Sequence, residues 1–162
     1  MTTLKRLLPV ALGLFLVASG IAKFATGHVF QYIEYRSGID LFYPFINNLT
    51  GIAEIVAGAA ILYRPIRLAG SLLASALMIG AIGFHLSPWL GVSIPTGLAD
   101  GAATPWDASD FATSTTSVSF FLAIVTGLGS LATARRAHRA RNNPEATNDA
   151  PATSADADLV RA

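Results

Sequence analysis

The stretch "INNLTGIAEIVAGAAILY", residues 46–63, carries one ionisable residue, Glu54, in an otherwise apolar and small-residue run. Its length is close to the ~20 residues a helix needs to cross a bilayer. A helix satisfies its own backbone hydrogen bonds, which is what makes such a span tolerable in lipid. At 1.5 Å per residue, Glu54 lies roughly 12 Å below the nearer end of that span. A carboxylate at that depth is costly unless it is paired or protonated, and so it points to a bundle interior. The residues three and four steps away, Asn47, Thr50, Gly51, Ala57 and Gly58, form a seam of small and polar side chains against which a second helix can approach closely.

Three further apolar blocks accompany it: 7–25, 68–91 and 112–134. Of the 162 residues, 52% are hydrophobic and 13% charged, about half the charge of an ordinary soluble domain. The expected fold is therefore all-α, a single four-transmembrane-helix bundle over residues 1–141. Lys5 and Arg6 ahead of the first block would also suit a signal peptide. The apolar run continues past "ASG" (18–20) to Phe24 without a cleavage pattern, however, so it is expected to remain as a helix. There is no cysteine, which removes disulfides, thiolate nucleophiles and cysteine-ligated metals from consideration.

The cations set the expected orientation. Lys5 and Arg6 precede the first span, Arg64 and Arg67 separate the second and third, and Arg135, Arg136, Arg139 and Arg141 follow the fourth. All eight fall on one side of a four-span chain, which by the positive-inside rule puts both termini in the cytoplasm. The opposite side holds two loops. The first, 26–45, contains six of the fifteen aromatic residues, as expected of a segment at the membrane–water interface; a ligand-binding lid is the sharper alternative. The second, 92–111, is rich in Gly, Pro, Ala and Asp and reads as irregular. Residues 142–162 lack aromatics and apolar periodicity, and are expected to form a disordered cytoplasmic tail. The basic segment "ARRAHRAR" (134–141) directly follows a span, so it is expected to meet anionic lipid and no nucleic acid.

Lys23 near the end of the first span and His85 near the end of the third come to the same outer half of the bundle as Glu54. Three readings of a Lys23–Glu54–His85 cluster stand side by side. It is a structural pair orienting the first two spans, a pocket for a ligand or quinone headgroup, or a proton relay built on a titrating Glu–His pair. His28, His85 and His138 are too dispersed for a shared metal or a bis-histidine haem, although His28 and His85 could meet at the outer face. No phosphate loop and no Ser–His–Asp order occurs. No catalytic residue and no metal ligand is therefore assigned.

"GLFLVASGIAKF" (13–24), "LTGIAEIVAGAAIL" (49–62) and "RLAGSLLASALMIGAIGFHLSP" (67–88) resemble the first three helices of DoxX-like membrane proteins. The likeness covers residues 6–90 and the four-helix plan, with Lys23, Glu54 and His85 at the family's recurring polar positions. It implies a multi-pass protein of the bacterial cytoplasmic membrane. The leading expectation is an accessory or scaffold subunit of a membrane-associated redox or stress-response complex, partnered by a membrane or extracytoplasmic redox protein. A quinone-interacting oxidoreductase subunit and a small oligomeric transporter are the alternatives. The long aromatic first loop and the fourth helix depart from the family pattern.

Overall fold

The computed structural model describes residues 2–99, 102 and 106–142. Five helices form: α1 (Thr2–Ala25), α2 (His28–Ser37), α3 (Asn47–Leu62), α4 (Arg67–His85) and α5 (Val118–Asn142). All but α2 belong to segments long and apolar enough to cross a membrane, Leu7–Ala25, Phe42–Leu62, Arg64–His85 and Val118–Asn142. The four long helices run alternately up and down, α1 packing on α3, α3 on α4 and α4 on α5. The α5–α1 seam that closes the ring is the sparsest.

Glycine sets the closest of these contacts. A Cβ on Gly20 would lie 2.5 Å from the carbonyl oxygen of Gly51, and one on Gly58 would lie 2.6 Å from that of Gly13. The relation is reciprocal at both pairs, with 3.0 Å for Gly51 and 2.9 Å for Gly13. Two glycines seven residues apart on each helix thus bring antiparallel backbones together, as small-residue seams do where apolar solvent provides no drive for helix association. At the turn between α3 and α4, Gly70 allows the same approach to Ala60 and Ile61. Leu12, Leu16, Ala57, Ile61, Ala74, Met78 and Ala123 fill the core. Leu14, Ile21, Ile52, Val56, Ile79, Val125 and Leu128 remain exposed around the outside, an apolar surface suited to lipid.

The helix ends differ from the sequence-based expectation in four places, the first being α1, which begins at Thr2 ahead of residue 7. The third block was expected to run to residue 91, yet α4 stops at His85. Ser87 precedes Pro88 there, and a residue before proline is pushed away from helical geometry. The fourth was expected from 112, but α5 starts at Val118. Residues Thr115–Thr116 are extended and pair antiparallel, as strand β2, with strand β1 at Ile94–Pro95; β-branched threonines favour that conformation. At its other end α5 continues past 134 to Asn142 and carries the arginines on its last turns. The expected tail lies outside the described residues beyond this point.

The described parts of both connecting segments at the end away from Arg64 and Arg67 fold into a cap. The first loop contains α2, which ends at Gly38 in the left-handed conformation (φ 69°), its N–H bonded to Glu34 O. The second, expected to be irregular, contributes β1 and a single helical turn at Ala108–Asp110, closed by reciprocal Asp107 and Asp110 capping bonds. Ile33, Leu90 and Ile94 form the cap's buried centre, with Phe30, Phe42 and Phe84 against it. Tyr32 and Phe111 meet edge to face at 5.1 Å.

The glycine contacts lead to a direct test. Gly58→Val should lower stability by about 1–3 kcal/mol, the usual cost of overpacking, because the new side chain meets backbone. Gly80→Ala, with nothing within 4 Å of its Cβ, should leave the thermal midpoint in detergent unchanged or slightly raised. Equal midpoints for the two variants would contradict the assigned α1–α3 contact.

Candidate functional site

A Cα–Cβ bond in a helix tilts toward the helix N-terminus. On α1 this directs Lys23 down from the cap end, and on antiparallel α3 it directs Glu54 up toward the cap. The two side chains meet halfway. Lys23 Nζ donates to both carboxylate oxygens of Glu54 at 2.8 Å. Glu54 is buried and Lys23 nearly so, with side-chain exposures of 8% and 23%. Asn47 fastens the same junction, its Nδ2 donating to Lys23 O at 2.9 Å and to Asn48 Oδ1 at 3.3 Å. The expected pair of spans one and two is therefore formed and is bidentate.

His85, the last residue of α4, is buried but does not join that pair. Its Nδ1 lies 2.8 Å from Gly91 O. A carbonyl can only accept, so the proton sits on Nδ1, and in the neutral ring Nε2 presents a lone pair. Phe120 of α5 packs against the ring at 5.5 Å.

What joins the three residues is a cavity of about 540 Å³ among α1, α3, α4 and α5, roofed by α2. Lys23, Glu54, His85, Asn47 and His28 all line it, and Leu16, Met78, Leu122 and Ala123 supply much of the remaining wall. This volume is in the range of small-molecule sites, which are mostly apolar with a few placed polar groups. His28 and His85 share the cavity, as the sequence allowed, although no bond links them.

Comparison with protein-family profiles, curated proteins and solved structures finds no match for this chain. The site is therefore read from its own chemistry.

One functional-looking carboxylate escaped the sequence reading. Glu34 of α2 is buried. Its Oε2 accepts Tyr43 N at 2.8 Å and its Oε1 accepts Trp106 Nε1 at 3.1 Å. It thereby ties the cap helix to the segment entering α3 and to the second loop. Nothing local in the sequence singles it out, because the partner lies 72 residues away. Arg36 adds a second tie, donating to Pro88 O at 3.1 Å.

His28, at the edge between cap and cavity, has its pKa pushed below the ordinary histidine value of 6.5 by burial. The folded protein thus holds the neutral ring. Stability from this group is full above pH 6.5 and falls as pH drops below it toward the depressed folded value, since the unfolded chain takes up the proton first. Replacing His28 with Gln should flatten that acidic fall in thermal midpoint; an unchanged pH profile would remove His28 as its cause.

The Lys23–Glu54 pair makes a second prediction. Lys23→Met leaves Glu54 without its counter-charge and should cost about 2–3 kcal/mol, below the ~3–5 kcal/mol of a fully buried pair because Lys23 keeps some solvent contact. Adding Glu54→Gln should recover much of the loss. A double-mutant cycle of thermal midpoints without coupling would argue against the pairing.

Proposed function

We propose that this chain is a DoxX-like multi-pass protein of the bacterial cytoplasmic membrane that binds an amphiphilic ligand of the quinone class for a redox complex. The cavity is the observation that carries this reading. It joins an apolar wall to a polar end made by Lys23, Glu54, His85 and Asn47, matching a ligand with a hydrogen-bonding head and an apolar tail. The likeness of residues 13–24, 49–62 and 67–88 to DoxX-like helices supports it further. In this reading Lys23 and Glu54 hold the head electrostatically, and His85 Nε2 exchanges a proton with it. The two electrons that leave a quinol head group as its protons are taken up pass to a partner protein.

The orientation belongs to the same proposal. Arg64, Arg67 and the arginines of α5's last turns cluster at the end opposite the cap. By the positive-inside rule that end and both termini are cytoplasmic, and the cap faces outward.

A scaffold subunit is the second reading, favoured by one specific observation. The Lys23–Glu54 pair is mutually satisfied beside the Gly20–Gly51 contact, as a purely architectural clamp would be.

Purification with native lipids and partners, followed by solvent extraction, separates the two. Bound quinone near one per chain, falling at least about tenfold in Glu54→Gln and His85→Ala variants that still unfold cooperatively, is the expected result. A stable co-eluting partner without quinone would overturn ligand binding in favour of the scaffold.

A further inference from the structure

Buried polar atoms in folded proteins almost always find a partner, yet two on residues that line the cavity have none. Asn47 Oδ1 and Ser119 Oγ are shut off from solvent and accept or donate no hydrogen bond among the described residues. Asn47 itself is 2% exposed, and its amide protons are already committed to Lys23 O and Asn48 Oδ1. What remains is a lone-pair acceptor. His85 presents a second one at Nε2, since Nδ1 carries the proton toward Gly91 O. Thr50 spends its hydroxyl proton on the backbone of its own helix, leaving lone pairs as well.

The residues that carry them come to the same end of the bundle. Asn47 opens α3, His85 closes α4, Ser119 is the second residue of α5, and Lys23 is two residues from the end of α1. The antiparallel packing brings these four helix ends together beneath the cap. Lys23 contributes the opposing donor, the ammonium proton left after two go to Glu54. A head group made only of carbonyls would satisfy Lys23 and leave both acceptors unpaired.

Building on the reading of the cavity as a ligand site, we infer that it selects a hydroxyl-bearing amphiphile, a quinol or other phenol, whose O–H groups donate to Asn47 Oδ1 and His85 Nε2. The same hydroxyl oxygens accept from Lys23. The apolar part lies against Leu16, Met78 and Leu122. Phe15 and Leu122 line the half-open cavity and are partly exposed, beside the sparse α1–α5 seam, so the path inward is lateral, from lipid.

The test uses 5-pentylresorcinol and its dimethyl ether, which share ring and tail but differ in hydrogen-bond donors. Neither requires redox chemistry. Calorimetric titration of the detergent-solubilised full chain should give at least about tenfold tighter binding for the resorcinol. In His85→Asn the amide can still donate to Gly91 O while the Nε2 acceptor is gone, and the gap should narrow to about threefold. A gap that arises from the bulk of the ether methyls would survive that substitution and so overturn the inference. Asn47→Leu, which removes the other acceptor, gives an independent narrowing even where His85→Asn disturbs folding. Equal binding of both probes would overturn donor selection while leaving the cavity a ligand site. Binding of neither would overturn the ligand-site reading and this inference with it.

Discussion

The approach of α1 to α3 over paired glycines is the contact on which the site depends. With Gly13 on Gly58 and Gly20 on Gly51, the two backbones are close enough for a lysine from one and a glutamate from the other to bridge the gap. Any side chain at Gly20 or Gly51 would separate the helices and draw the ammonium off the carboxylate. In lipid that separation is serious, because little water is at hand to solvate either charge. The glycine seam and the ion pair are thus two parts of one requirement. The seam sets the distance, and the pair makes that register of α1 against α3 preferable to others.

The cap closes what the bundle leaves open. Three of the four long helices come up to the cap with a polar residue in their last or first turn, and the fourth with a lysine. Such a ring would be wet if it faced water directly. α2 lies over it, and Glu34 holds that cover by accepting hydrogen bonds from Tyr43 N and Trp106 Nε1. A single carboxylate therefore joins the entrance of α3 to the far loop. The apolar centre of Ile33, Leu90 and Ile94 accounts for the packing of the cap, and Glu34 for its register.

Four spans and the Lys23–Glu54 pair were legible in the sequence because both signals are local or follow from topology. Hydropathy over ~20 residues marks a span, and alternating spans place residues 23 and 54 at neighbouring levels. Helix ends were less legible. The block ending at 91 continues apolar through "SPWLG", and hydropathy alone does not register the proline that halts α4 at His85. The threonine-rich start of the fourth block has the same ambiguity, resolved only by its pairing with Ile94–Pro95. Glu34 and Asn47 were illegible as site residues for a different reason. What distinguishes them is the presence or absence of a hydrogen-bond partner in space, and no periodicity encodes that.

The distribution of side-chain size argues that the cavity is a built feature of the bundle. Leu12, Leu16, Ile61 and Met78 fill the interior toward the cationic end and its middle. Nearer the cap the facing residues become small or short: Ser19 and Ala22 on α1, Thr50 on α3, Ala81 on α4 and Ala123 on α5 all line the void. Small side chains along a shared wall leave room there for a guest molecule, whose dispersion contacts the larger residues below would otherwise make. A cost comes from Asn47 Oδ1 and Ser119 Oγ, which have no hydrogen-bond partner among the described residues. The room and the unpartnered atoms are both met by a molecule that brings apolar volume to the lower wall and hydroxyl protons to the upper ring. An architectural clamp needs the glycine seam and the ion pair but neither the space nor the unmatched acceptors, and it is these two features that weigh toward a ligand.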